Sequence, residues 1–114
     1  MAEGTSFNII YSDDEGRDFR SAITKLLADF EKSLSVYDRD SIISRVNRGE
    51  KIKVDSFFET VFNRAKEISL LTQGAFDISA GPLFDSWGFG GGQKLVPDDA
   101  KIEALRKSIG MDKV

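Results

Sequence analysis

The sequence predicts an α+β fold: short strands, two long helices packed on one another, and a short helix near the carboxyl terminus. Three observations carry that expectation. Apolar residues recur at helical spacing over residues 17–34 and again over 56–72, three brief segments alternate as strands do, and Gly, Pro, Asp and Asn cluster between these stretches. A chain of 114 residues has room for one core of modest size, so residues 1–114 read as a single domain.

Residues 4–12 (GTSFNIIYS) alternate and favour a strand, with Phe7, Ile9 and Tyr11 on one face and Asn8 and Ile10 on the other. Asp13, Asp14 and Gly16 supply turn chemistry. From Arg17 the period becomes helical, and Phe19, Ile23, Leu26, Leu27, Phe30 and Leu34 form one stripe. That period fails near Ser35, where Asp40 or Ser41 can cap a short helix bearing Ile42, Ile43 and Val46. Tyr37 falls at this junction, and two readings stand: it finishes the first stripe, or it faces a cleft.

Residues 47–49 (NRG) turn the chain, and residues 51–54 (KIKV) read as an edge strand with its lysines toward water. Ser56 and Glu59 fit a capping box that opens the second long helix, with Phe58, Val61, Phe62, Ala65 and Ile68 inward, then Leu71 or Thr72. Gly74 is placed to end it in a left-handed cap. Ala75, Phe76, Asp77, Ile78 and Ser79 then read as a short extended segment. Gly81-Pro82 punctuates, and Leu83, Phe84 and Trp87 follow at roughly helical spacing. After a glycine run, Pro97 and Asp98 or Asp99 start a last helix with Ile102, Leu105 and Ile109 on one face and Gly110 as its stop.

Composition narrows the function. The chain is 40% hydrophobic and 31% charged, the balance of a soluble globular domain, and its formal net charge of −3 provides no basic footprint for nucleic acid or an anionic membrane. No signal peptide is visible at Met1-Ala2-Glu3, and no apolar run reaches bilayer-spanning length. Cys and His are both absent, which excludes thiol nucleophiles, disulfides, Cys/His zinc sites and the Ser-His-Asp triad. A metal held by such a chain would be a hard cation with oxygen ligands, such as Mg²⁺.

Residues 72–92 (TQGAFDISAGPLFDSWGFGGG) concentrate the unusual features: a helix-ending Gly, a Gly-Pro turn, the single Trp and a run of Gly. They read either as a tight connection between packed elements or as a binding loop. Neither common phosphate-loop pattern fits, since Gln93 interrupts both the dinucleotide and the P-loop spacing and Leu95 stands where Ser or Thr should follow Lys94.

Taken together and in this order, GTSFNIIYS, SVYDRDSIISRVN, TQGAFDISAGPLFDSWGFGGG and a Pro-started helix ending in Ile-Gly resemble the amino-terminal part of the ApbE-like FAD:protein FMN transferases. The resemblance spans nearly all of the chain. It implies the front part of a larger ApbE-like α+β domain, and a Mg²⁺-dependent enzyme that moves FMN from FAD to a Thr or Ser hydroxyl of an acceptor flavoprotein and releases AMP. It places the flavin-contacting aromatic at Tyr37 and the dinucleotide-holding Ala-Phe-Asp at Ala75, Phe76 and Asp77. A family Met before the opening Gly-Thr is replaced by Glu3, a departure at that contact. The family's Mg²⁺ ligands and remaining pyrophosphate contacts are expected in a carboxyl-terminal part with no counterpart here. No catalytic and no metal-ligating residue is therefore assigned, and the chain alone is expected to be inactive, to bind flavin weakly and to self-associate through exposed apolar surface. A periplasmic or envelope location, often with a lipid anchor, is implied by the family only. The competing readings are an FAD pyrophosphatase producing FMN and AMP, and a non-catalytic flavin-binding or interaction module.

Overall fold

In the computed structural model, which describes residues 6–89 and 96–114, the chain divides into two compact units, Met1–Val61 and Phe62–Val114. The expectations for residues 1–5 and for the glycine run and Gln93 to Leu95 at 90–95 lie outside the described residues.

The first unit starts with a turn held by one carboxylate. Asp13 accepts from the backbone N–H groups of Glu15 (3.1 Å) and Arg17 (2.9 Å), and the Arg17 guanidinium closes on it at 2.7 Å. Gly16 takes the left-handed φ of 68° that this turn requires. Helix α1 then runs Arg20–Leu34 and turns Ile23, Leu27, Phe30 and Leu34 inward to half-burial. Phe19 stands before the helix as its N-cap; its ring meets Tyr11 edge-on at 5.6 Å, and its N–H donates to the Tyr11 hydroxyl at 3.0 Å. Leu26, expected in the stripe, is 56% exposed.

Helix α2 (Ile42–Asn47) is capped by Ser41, whose hydroxyl accepts from the Ser44 N–H. Helix α3 (Ser56–Leu71) begins one residue earlier than a capping box on Ser56 would place it, because Asp55 does the capping: its Oδ1 accepts from the Phe58 N–H at 2.9 Å. Ser56 is already helical, so its hydroxyl is not positioned as the cap. The same Asp55 oxygen accepts from the Ser33 hydroxyl at 2.7 Å, and Phe30 meets Phe57 edge-on at 5.6 Å. Cap and ring pair together fasten the start of α3 to the end of α1.

In the second unit, a 3₁₀ turn (Ile78–Ala80) leads into α4 (Gly81–Ser86), with Pro82 in the first turn, where its missing N–H costs nothing. Helix α5 (Asp99–Arg106) is capped by Asp98 through the Lys101 N–H at 2.8 Å, and a final 3₁₀ turn covers Met111–Lys113. Helix α5 stops short of the expected end at Gly110, and Ile109 lies in the loop beyond it.

The structure corrects the strand expectations. Among the described residues the chain is mostly helical and holds no strand; residues 6–12 and 51–54 carry no regular structure, and within residues 75–79 Asp77 alone is recorded with extended backbone before the 3₁₀ turn. A helix closes its hydrogen bonds within itself, but a strand exists only through a partner, and these segments find none among the described residues. Alternation of side chains is therefore insufficient here.

Four carboxylates of the first unit are held below their usual range: Asp13 by the Arg17 guanidinium, Asp18 by the Arg20 N–H, Asp29 by the Lys25 ammonium, and Glu50 by Arg45 and then Arg48. A depressed folded value means stabilisation that is present above the unfolded carboxylate range and is lost as pH falls through the folded value. Thermal melts should thus show the apparent Tm falling as pH drops below about 4, with the loss blunted at about 1 M salt because these pairs are exposed. A melting temperature that stays level down to about pH 2.5 would contradict this.

Candidate flavin-facing segment

The segment carrying Ala75, Phe76 and Asp77 is shaped by the way α3 ends. The Gln73 N–H donates to the Leu70 carbonyl at 3.1 Å and the Gly74 N–H to the Ser69 carbonyl at 2.8 Å, the paired bonds of a Schellman ending. Both residues take left-handed backbone, Gln73 at φ 54° and Gly74 at φ 83°. Glycine therefore supplies only the second of two left-handed positions. Replacing Gln73 with Gly should raise stability by about 0.5–1 kcal/mol, since a non-glycine side chain in this region costs roughly 1–2 kcal/mol and Gly gives part of that back in unfolded-state entropy. Equal or lower stability in a denaturant melt would refute the assignment.

Thr72 then folds the chain back. Its hydroxyl donates to the Ile68 carbonyl (2.8 Å) and accepts from the Phe76 N–H (3.1 Å), while the Ala75 N–H reaches the Thr72 carbonyl at 3.1 Å. The N–H groups of Ala75 and Phe76 are thus both taken by Thr72 and are not offered to a ligand. Among the described residues the Asp77 N–H has no partner.

Asp77 has extended backbone, at φ −147° and ψ 110°, and its carboxylate turns back to cap the 3₁₀ turn. Oδ1 accepts from the Ser79 N–H at 2.8 Å and from the Ser79 hydroxyl at 2.6 Å. The Ser79 oxygen in turn accepts from the Gly110 N–H at 2.8 Å. Ala75, Phe76 and Asp77 all line an open cleft of about 800 Å³, together with Phe84, Asp85, Arg106 and Ile109. That volume is within the range of small-molecule sites, and the cleft combines apolar walls with two carboxylates, of Asp77 and Asp85, and the guanidinium of Arg106.

Tyr37 belongs to the first unit. It is 76% exposed and stands in the turn after α1, which ends at Leu34, so the reading in which it completes the α1 stripe is overturned. The turn beneath it is pinned at both ends. The buried Ser35 donates its N–H to the Glu31 carbonyl at 3.0 Å, and its own carbonyl accepts from the buried Ser41 hydroxyl at 2.7 Å. An aromatic ring is therefore displayed to solvent on a fixed support.

Sequence reasoning missed the residues that hold these groups in place: Thr72, Ser79 and Gly110. The Asp-x-Ser spacing at Asp77 and Ser79 is a signal for an Asx-type turn, but nothing local marks Gly110 as its third member.

The comparisons with known proteins bear on the whole chain. The ApbE family matches residues 3–114. This chain belongs to the ApbE family. It is similar to the FAD:protein FMN transferase of Vibrio cholerae serotype O1, 33% identical over 96% of the chain and 35% of that relative, and to that of Haemophilus influenzae, 27% identical over 97% of the chain and 35% of that relative. Among solved structures it resembles the flavin transferase ApbE from Vibrio cholerae, with a TM-score of 0.74 at 32% identity, covering 89% of this chain and 34% of that one. It also resembles the apo form of the Pseudomonas stutzeri flavinyl transferase ApbE, with a TM-score of 0.79 at 26% identity, covering 89% of this chain and 35% of that one. The chain thus spans about a third of the length of the ApbE relatives it matches. Among its described residues no three of His, Cys, Asp and Glu converge to hold a metal ion.

Proposed function

We propose that this ApbE-family chain supplies flavin-binding residues to an FAD:protein FMN transferase. In that reaction the hydroxyl oxygen of an acceptor Thr or Ser attacks the phosphorus of the FMN half of FAD. The bond from that phosphorus to the AMP oxygen breaks, AMP leaves, and the hydroxyl proton is lost. The observation that carries the reading is the likeness to FAD:protein FMN transferases over 96% of the chain. Tyr37 covers an aromatic ring system, and Asp77, with Ala75 and Phe76 beside it, engages the dinucleotide. The metal that neutralises the pyrophosphate is Mg²⁺, held by groups outside the described residues. The chain alone is inactive, and the α+β domain is completed by strand partners outside the described residues. The protein acts at the bacterial envelope.

The test is a chimera in which this chain replaces the matching third of the Vibrio cholerae relative, incubated with FAD, Mg²⁺ and an acceptor flavoprotein. The expected result is AMP release together with flavin fluorescence on the denatured acceptor, and neither from the chain of this sequence alone. A folded chimera that does neither would sink the proposal, whereas AMP without acceptor labelling would make the chain part of an FAD pyrophosphatase.

We also propose that the isolated chain self-associates, because Leu70 and Leu71 are each 74% exposed and Phe84 and Trp87 stand open on α4 and at its end. Light scattering should give a mass above 12.7 kDa that rises with concentration, and a concentration-independent monomer would count against it.

A further inference from the structure

We infer that Ser79 is a positioning residue for the flavin site, acting as the link through which Gly110 orients the Asp77 carboxylate. The inference rests on the proposed flavin-binding role of Asp77. It goes further in assigning a task to two residues that touch no ligand in that proposal.

The geometry is directional. The Ser79 hydroxyl has one proton, and that proton goes to Asp77 Oδ1 at 2.6 Å, because the Ser79 oxygen is accepting from the Gly110 N–H at 2.8 Å. A hydroxyl that accepts one bond is a better donor in the next, and a bond to a carboxylate is shorter and stronger than a neutral one. With the Ser79 N–H at 2.8 Å, Oδ1 holds two donors, whereas Oδ2 has no partner among the described residues. The carboxylate is thus held by one oxygen, and the other is available to a donor in the cleft that Asp77 lines.

Gly110 suits the other end of the link. Its φ of 141° is a conformation that side-chain-bearing residues rarely adopt, and a Cβ built there would stand 2.4 Å from Asp112 Oδ1. The N–H of this glycine arrives from 31 residues away in sequence, on the loop after α5. Arg106, the last residue of α5, and Ile109, in the loop after it, line the same cleft, so the stretch that walls the cleft also grips the serine bonded to the Asp77 carboxylate.

The experiment measures FAD affinity by calorimetry for the chain of this sequence and for Ser79→Ala, Ser79→Thr, Asp77→Ala and the Ser79→Ala/Asp77→Ala pair, with the melting temperature of each recorded. Asp77→Ala should weaken FAD roughly tenfold or more, and Ser79→Ala on the order of fivefold, in keeping with hydrogen bonds to a charged group. Ser79→Thr, which keeps the hydroxyl, should restore the affinity. In the pair, Ser79→Ala should add nothing to Asp77→Ala, an outcome that a general loss of structure would not produce. Should Ser79→Ala fail to fold, Ser79→Cys keeps the volume with a much weaker donor and replaces it. Unchanged affinity in Ser79→Ala beside a weakened Asp77→Ala, or full additivity in the pair, would overturn the positioning role alone. No uptake of FAD by the unmodified chain, or none of the loss on Asp77→Ala, would overturn the flavin reading and the positioning role with it.

Discussion

Asp55→Ala should lower the stability of the chain by about 2–3 kcal/mol, the largest effect expected of any single polar substitution in the first unit. Two losses add. One is the N-cap of α3, since Oδ1 accepts the Phe58 N–H at 2.9 Å, a contribution of about 0.5–2 kcal/mol. The other is the partner of the Ser33 hydroxyl, which donates to that oxygen at 2.7 Å from a fully buried position. Alanine leaves the hydroxyl in the interior with nothing to bond, at roughly 1–3 kcal/mol. Asp55→Asn keeps an acceptor oxygen in the same place and should recover most of the loss. In a thermal melt the alanine variant should fall by about ten degrees and the asparagine variant by a few. Equal loss in both would mean that charge, not the shared acceptor, holds α3 to α1. Little loss in either would remove the cap from its assigned place.

Tyr37→Ala should separate binding from folding. The side chain is 76% exposed, so its removal should leave the melting temperature within about a degree of the parent, surface substitutions of this kind staying within ~0.5 kcal/mol. FAD affinity should drop about tenfold, the size expected when an aromatic contact of 0.5–1.5 kcal/mol is lost along with its buried area. Tyr37→Phe keeps the ring and should bind nearly as the parent does. The fixed support beneath the turn sharpens the expectation, because Ser35 and Ser41 hold the loop without using the Tyr37 ring. FAD binding that is indifferent to alanine at this position would take Tyr37 out of the flavin site.

The helices were legible because their information is local. Ile23, Leu27, Phe30 and Leu34 repeat at the period of an element that closes its own hydrogen bonds, and the repeat is enough to place α1. The caps at Ser41 and Asp98 follow from the same locality, since a side-chain oxygen meets an N–H three residues on. At α3 the local pattern misled by one residue, as Ser56 and Glu59 match a capping box while the Asp55 carboxylate just before them takes the role. Burial misled differently: the stripe on α1 was expected to carry its packing, yet among the described residues of the first unit the fully buried side chains are the hydrogen-bonded Ser33 and Ser41.

Of the candidate site, the sequence contributed the residues and not their arrangement. Tyr37, Ala75, Phe76 and Asp77 could be singled out by resemblance to the ApbE family, and chemistry alone left each with a plain alternative. What the sequence determined by itself is the family, the helical repeats, the caps of α2 and α5, and the absence of any Cys or His chemistry. What only the tertiary structure decided is which strand-like segments stay unpaired, which face Tyr37 presents, and that a glycine 31 residues away grips the serine that grips Asp77. The physical reason is common to all three. A helix or a cap is settled by groups within four positions of one another, whereas ladders, exposure and long-range hydrogen bonds depend on partners whose distance along the chain carries no signal.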